Sequence, residues 1–434
     1  MEFALPLMLG NIFQQLYNLT DSKIVSAYVS ENAFAAVGAT AVVSNMLISF
    51  ISGLTQGFSI SVAKCFGAGD RGGIRRSIAG TVVLTTITTV ILYILGFVFI
   101  RPVLELLHTP AAIMDDSISY VRIIIAGLVF CSLYNLAANV LRGVGDSLTP
   151  LICLIISVVL NIGLDLLAVC VLGLGIRGAA YATVCAQAVA GIICVCWMIK
   201  RIRDFMPGRS DYRISAREYG DLLSFGLAMA LMNCIVNIGT VILQRAINVL
   251  GTTLVVAHLA ARRVFDLIMI VIFTIGLAMT TYIGQNLGAR RFDRIRLGVK
   301  HAMILVTLVN TVIVGLCHLF GRNIIEWVAS TENPLIVEPA VMYLNIGVEL
   351  GYVLGPLFVL RCSLQGMGHR IIPVVTSILE LIIKAVFAFV IIPYLGYFGV
   401  AITEPFSWCV MDIVLIIGYI YAVLQSKKQV NETA

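Results

Sequence analysis

Four oxygen-bearing side chains interrupt the apolar segments of the first half of the chain. Two are carboxylates, one is an amide and one is a hydroxyl: Asp21, Asp165, Asn161 and Thr183. If the segments are helices, Asp21, Asp165 and Thr183 lie about 9–11 Å from the same end of the segments that carry them. Asn161 lies one turn deeper, on the face of Asp165. Because hard cations prefer oxygen ligands, this set is typical of a site for a small cation such as Na⁺.

Two carboxylates that are buried together need neutralisation, because charge is costly in an apolar surrounding. A bound cation or a proton supplies it, and either event changes the charge of the site. Two interpretations follow from the residues alone. The site couples ion binding to a conformational change, or Asn161 and Asp165 only form hydrogen bonds that hold neighbouring helices together.

The second half of the chain carries different polar residues. Glu380 and Lys384 are four residues apart and can pair along one helix, as can Asp266 with Arg262 or Arg263. Such pairs are typical of structural contacts. Glu349, Glu404 and Asp412 have no partner at helical spacing and are candidates for binding a cationic substrate, with Glu349 as our first choice. In the first half of the chain, the neutral polar residues Gln14 and Asn18 are further candidates.

The rest of the chain is unusually apolar. Of its 434 residues, 60% are hydrophobic and 12% are charged, about half the ~25% charged residues of an ordinary soluble protein. Such a chain has too few polar groups to cover its surface in water, which excludes a soluble enzyme, a disordered chain and a nucleic-acid-binding protein. We predict twelve apolar segments of membrane-spanning length. They must be α-helices, because lipid offers no hydrogen-bond partner to the backbone.

Basic residues fall mainly on alternate connections between these segments. The basic connections are residues 64–76, 142, 200–217, 290–300, 361–370 and 427–428, whereas the opposite set holds Arg101, Arg177 and Arg322. Because basic connections stay on the cytoplasmic side, we expect both termini to be cytoplasmic in a multi-pass protein of the cell membrane.

Sequence signatures of catalysis are missing. The chain has no Walker A sequence and no HExxH pair, and its 11 cysteines show no metal-ligand or disulfide spacing. We therefore expect a protein that is not an enzyme. Its energy source is then an ion gradient, a substrate gradient or another protein.

The two halves of the chain repeat each other. Leu141-Arg-Gly-Val-Gly-Asp-Ser-Leu-Thr-Pro150 matches residues 364–373 at an offset of 223, and Gly67-Ala68 matches Gly288-Ala289 at an offset of 221. This pattern predicts an all-α integral membrane protein with 12 transmembrane helices, in two parallel six-helix repeats around a central cleft. The predicted parts are an amino-terminal lobe (1–199), a cytoplasmic linker (200–219), a carboxy-terminal lobe (220–425) and a cytoplasmic tail (426–434).

Several motifs resemble those of the MATE (multidrug and toxic compound extrusion) transporters. They are residues 3–21 (FALPLMLGNIFQQLYNLTD), Ala35-Ala-Val-Gly-Ala-Thr40, the Leu-Arg-Gly-x-Gly-Asp sequence at 141–146 and Gly284-Gln-Asn-Leu-Gly-Ala289. The resemblance covers nearly the whole chain. It implies a secondary-active antiporter that exports organic, cationic compounds in exchange for Na⁺ or H⁺.

The resemblance also implies roles for individual residues. Asp21, Asn161, Asp165 and Thr183 match the amino-terminal-lobe Na⁺/H⁺ site, and Pro6 matches the proline of a first helix that can bend. We expect a monomer with no cofactor other than the coupling ion, in contact with membrane lipid. The alternative is a flippase for lipid-linked oligosaccharides, because related proteins share this architecture.

Overall fold

The protein is almost entirely helical in the part that the structure describes. The computed structural model describes the backbone of residues 3–28, 31–107 and 109–433, and it contains no strand within these ranges. Within them, the side chains that remain undescribed are those of residues 17–19, 21–23, 25–28, 31–35 and 426–433.

The chain divides into two compact units, Met1–Ala230 and Leu231–Ala434. Seven helices begin in the first unit: α1 Ala4–Tyr28, α2 Glu31–Gly67, α3 Arg71–Leu106, α4 Ala111–Gly143, α5 Leu148–Asp165, α6 Gly175–Arg201 and α7 Ala216–Val249, which crosses the boundary. The second unit adds α8 Thr252–Gly288, α9 Phe292–Ala329, α10 Pro334–Glu349, α11 Gly351–Gly366, α12 Ile371–Val386 and α13 Ile392–Thr433.

The described helices agree with a multi-pass membrane protein. Nine of them are long and apolar enough to cross a bilayer, or ten if α10 and α11, which meet at a bend of 50°, form one span. One of the nine extends over 55 residues, Ile371–Gln425, more than twice the roughly 20 residues that a span needs. Gly396, with φ 58°, interrupts it. Together with the 25-residue α1, this pattern is consistent with the twelve spans expected from the sequence.

Each unit is built around helices that pack side by side. In the first unit, α4 packs against α2 and α6, and α5 packs against α1 and α6. In the second unit, α8 packs against α9, α10 and α11, while α12 packs against α13. Helices α5 and α12 therefore occupy corresponding positions, each beside the helix that follows it.

The backbone confirms the internal repeat. A π-helical segment follows α5 at Leu166–Val171, and another follows α12 at Phe387–Ile391. A glycine in the left-handed region precedes each of these helices, Gly145 with φ 97° and Gly368 with φ 90°. These glycines lie 223 residues apart, which is the offset of the matching motifs. Only glycine adopts this conformation without strain, which explains why the motif repeats it.

Candidate cation site and buried charge network

Helix α5 carries two of the four predicted cation ligands. Asn161 and Asp165 lie one turn apart on the same face, and both side chains are fully buried. Asp165 is the last α-helical residue before the π-helical segment Leu166–Val171. The carboxylate of Asp165 therefore lies where the backbone changes from α-helical to π-helical geometry. Such segments are rare and occur often at functional sites.

The amide of Asn161 has no hydrogen-bond partner for its nitrogen or its oxygen within the described part of the chain. A buried polar group without a partner costs about 1–3 kcal/mol, so a folded protein retains one where a ligand or water satisfies it. The described residues therefore leave both interpretations of Asn161 open, the binding site and the structural contact between helices. An amide oxygen is also a suitable ligand for a hard cation.

The other two predicted ligands lie on helices that contact α5. Thr183 is half-buried on α6, which packs against α5. The backbone of Asp21 belongs to α1, which also packs against α5, but its side chain lies outside the described residues. The structure therefore brings the three helices of the predicted site together.

Two further predictions concern α1. Pro6 is the third residue of this helix, where backbone N–H groups have no acceptor within the helix. It therefore breaks no helical hydrogen bond in this structure, and its role in bending stays a prediction. Gln14 is exposed, and the side chain of Asn18 lies outside the described residues.

The second unit contains a network of buried ionic groups. Glu404 on α13 accepts a 2.6 Å hydrogen bond from Nη1 of Arg262 on α8, and its other oxygen lies 3.2 Å from Nζ of Lys384 on α12. Lys384 also lies 2.9 Å from Oε1 of Glu380, and Arg262 lies 2.9 Å from Oδ1 of Asp266. Both predicted pairs within a helix are thus confirmed. The connection through Glu404 was not predicted, because its partners are 142 and 20 residues away in the sequence.

Arg361 extends this network and corrects an expectation. The sequence assigned it to a basic cytoplasmic connection, but it lies within α11 with a side chain only 7% exposed. Its Nη2 donates to Oγ of Ser377 over 2.6 Å and lies 4.0 Å from Oε2 of Glu380. A basic residue near a helix end is not distinguishable from a loop residue by hydropathy alone.

The remaining acidic candidates lie apart from this network. Glu349, at the bend between α10 and α11, is half-exposed and has an oxygen 3.2 Å from Nε2 of His318. Asp412 on α13 is buried, and its Oδ1 has no hydrogen-bond partner among the described residues. The three acidic candidates thus differ in their partners. Glu349 lies beside a histidine, Glu404 lies between two basic side chains, and Oδ1 of Asp412 has no partner among the described residues.

Comparison with known proteins assigns the fold to a family. A family model described as MatE matches the chain twice, over residues 6–167 and 228–390. The two matches begin 222 residues apart, in agreement with the internal repeat.

Similar curated proteins extend along most of the chain. The probable multidrug resistance protein YoeA of Bacillus subtilis is 26% identical over 441 residues, covering 99% of this chain and 94% of its own. The probable multidrug resistance protein NorM of Thermotoga maritima is 25% identical over 413 residues, covering 92% and 86%. A FAD transporter of Shewanella oneidensis is 24% identical over 346 residues, covering 76% of each chain.

Solved structures share the fold. A MATE protein in the bent conformation superposes with a TM-score of 0.91 at 24% identity, covering 99% of this chain and 95% of its own. An outward-facing MATE family transporter of the MOP superfamily gives a TM-score of 0.90 at 24% identity, covering 98% and 95%. Because the family model matches well over half of the chain, in both repeats, this protein belongs to the MatE family of transporters.

Proposed function

We propose that the protein is a secondary-active antiporter of the cell membrane that exports organic compounds in exchange for Na⁺ or H⁺. The observation that carries this proposal is the fully buried pair Asn161 and Asp165. Its oxygen atoms provide a place for one cation or one proton, and the amide of Asn161 has no hydrogen-bond partner among the side chains that the structure describes. Thr183 and Asp21 complete the proposed ligand set.

Coupling requires that the ion and the exported compound bind two conformations with different affinities. A buried carboxylate meets the requirement on the ion side, because conformations that expose it to water or enclose it differ in their affinity for a cation. We propose that ion binding at Asp165 favours the conformation that releases the compound outside. Both termini lie on the cytoplasmic side in this proposal, and the protein acts as a monomer without another cofactor.

The proposed substrates are organic cations. The names of the multidrug resistance relatives support the export of drugs, and the acidic residues of the chain support a positive charge on them. Candidate residues for binding them are Glu349, Gln14, Asn18, Glu404 and Asp412. Asp412 is the strongest of the acidic candidates, because Glu404 is already held by two cations of the protein and Glu349 by His318.

Other substrates of this superfamily define the alternatives. One is a lipid-linked oligosaccharide, moved by a flippase activity. Another is an anionic compound, in accordance with the relative named as a FAD transporter. Transport of a small organic cation that is driven by an ion gradient and requires Asp165 favours the antiporter over both alternatives.

The experiment is ethidium transport in inside-out vesicles that contain the purified protein. A Na⁺ gradient and a pH gradient are imposed separately on the wild type, Asp165→Asn and Asp116→Asn. Asp116 is exposed at the start of α4 and serves as a matched control for the same chemical change. We expect one gradient to drive transport in the wild type and the control but not in Asp165→Asn. Gradient-driven transport at the wild-type rate in Asp165→Asn contradicts the assigned site.

A further inference from the structure

We propose that the ammonium group of Lys384 is a permanent, tethered cation at the position where the first unit has its proposed cation site. The coupling ion then binds in the first unit only. Binding of the coupling ion in the first unit rests on the proposed function. The role of the Lys384 ammonium group does not, because it depends only on the charges of the second unit.

The internal repeat aligns the two positions. At the offset of 223 that relates α5 to α12, Asn161 corresponds to Lys384. At the offset of 221 that relates α6 to α13, Thr183 corresponds to Glu404. Asn161 and Lys384 are both buried, at 0% and 2% exposure. Two predicted cation ligands of the first unit are therefore replaced by an ion pair in the second.

The surroundings of Lys384 resemble those of a bound cation. Its Nζ lies 2.9 Å from Oε1 of Glu380 and 3.2 Å from Oε1 of Glu404, so two carboxylates on two helices share one positive charge. The aliphatic part of the side chain is enclosed as well. A Cβ atom added at Gly239 on α7 would lie 3.0 Å from Cδ of Lys384, so α7 packs closely against the aliphatic part of this side chain.

The first unit provides no cation at the corresponding positions. Besides Lys384, the network of the second unit contains the guanidinium groups of Arg262 and Arg361. Their counterparts, at offsets of 221 and 223, are Ala41 and Ala138. The counterparts of these three basic side chains in the first unit are therefore uncharged, whereas the carboxylates of Glu380 and Glu404 are neutralised by residues of the chain itself.

This difference assigns distinct roles to two units of the same fold. A mobile cation that entered the second unit would have to compete with an ammonium group that is covalently attached and fully desolvated. Ion binding would thus change the charge of the first unit alone.

The test removes the tethered cation and supplies a free one. Lys384→Ala leaves Glu380 and Glu404 beside a space of the size of a short alkylammonium ion. We expect the melting temperature of the purified full-length variant in detergent to fall by about 10 °C. Propylammonium chloride should restore part of this loss in a concentration-dependent manner, because a ligand that binds only the folded state stabilises it. Propanol should not, and the wild type should respond to neither.

A charge-balanced variant keeps the test decisive if Lys384→Ala does not fold. Lys384→Met combined with Glu404→Gln removes one charge of each sign, nearly keeps the side-chain volumes, and leaves Arg262 paired with Asp266 and Arg361 paired with Glu380. We expect it to melt within a few degrees of the wild type and to be insensitive to propylammonium. The proposal is overturned if Lys384→Ala melts like the wild type, or if propylammonium has no effect on a folded Lys384→Ala. It is also overturned if the charge-balanced variant is as unstable as Lys384→Ala.

The same variants separate this inference from the proposed function. Rescue by propylammonium requires no transport, so it supports the tethered cation even if neither ion gradient drives efflux. Conversely, efflux that depends on Asp165 without rescue of Lys384→Ala supports the antiporter and overturns the tethered cation.

Discussion

The Nζ atom of Lys384 lies 3.2 Å from Oε1 of Glu404, although the two residues belong to different helices. This contact links the pair on α12 to the pair on α8, so Asp266, Arg262, Glu404, Lys384 and Glu380 form one continuous series of alternating charges. Within a bilayer, such compensation lowers the cost of burying each charge. It also means that Glu404 can contact a substrate only if it exchanges one of its present partners.

Removal of Arg262 should destabilise the protein. Arg262→Leu leaves Glu404 and Asp266 without their shared partner, and loss of one member of a buried ion pair costs about 3–5 kcal/mol. The neighbouring Arg263 provides the control, because it is exposed and has no ion-pair partner among the described residues. We expect thermal unfolding in detergent to show a large decrease for Arg262→Leu and little change for Arg263→Leu. Equal effects of the two substitutions would argue against the network.

Replacement of Asn161 should separate stability from activity. Asn161→Leu removes a buried amide that has no described partner, so we expect the free energy of unfolding to rise by about 1 kcal/mol while gradient-driven transport is lost. Asn310→Leu is the control, because Asn310 is equally buried but donates a 3.1 Å hydrogen bond to the carbonyl of Val348. That variant should be less stable than the wild type. A loss of stability in Asn161→Leu would show that its amide is satisfied in the folded protein.

The coupling ion should stabilise the protein through Asp165. A ligand that binds the folded state at 100 times its dissociation constant adds about 2.7 kcal/mol. If Na⁺ is the ion, exchange of choline chloride for sodium chloride at constant ionic strength should raise the melting temperature of the wild type. If H⁺ is the ion, a decrease in pH should do so instead. Asp165→Asn should lose whichever response the wild type shows, and an unchanged response in that variant would place the ion elsewhere.

A close approach of α2 to α7 at one point should make Gly57 intolerant of a side chain. A Cβ atom at Gly57 would overlap the carbonyl of Phe225 and the backbone of Gly226, all within the first unit. Backbone atoms yield little, so we expect Gly57→Ala to cost about 1–3 kcal/mol. Gly38→Ala on the same helix meets nothing within 4 Å and should leave stability unchanged or slightly higher. Comparable melting temperatures for the two variants would contradict the close approach of α2 and α7.

Much of this architecture was predictable because the relevant signals are local. Long apolar segments must be helices in lipid, and motifs repeated at offsets of 221 and 223 identify the duplication. Contacts within a helix follow from spacing, which explains why the pairs of Arg262 with Asp266 and of Lys384 with Glu380 were correctly predicted. The placement of Asn161 and Asp165 on one face follows from the same rule.

Other features depend on how helices pack against each other. The partners of Glu404 lie on α8 and α12, and no periodicity within α13 indicates which neighbouring helix its carboxylate meets. The burial of Arg361 and the π-helical segments after α5 and α12 likewise arise from tertiary contacts and local backbone geometry. The sequence by itself thus determined the membrane-spanning helices, their duplication and the residues that we propose bind a cation. Only the tertiary structure decided which charges neutralise one another, because that depends on distances between helices that are remote in the chain.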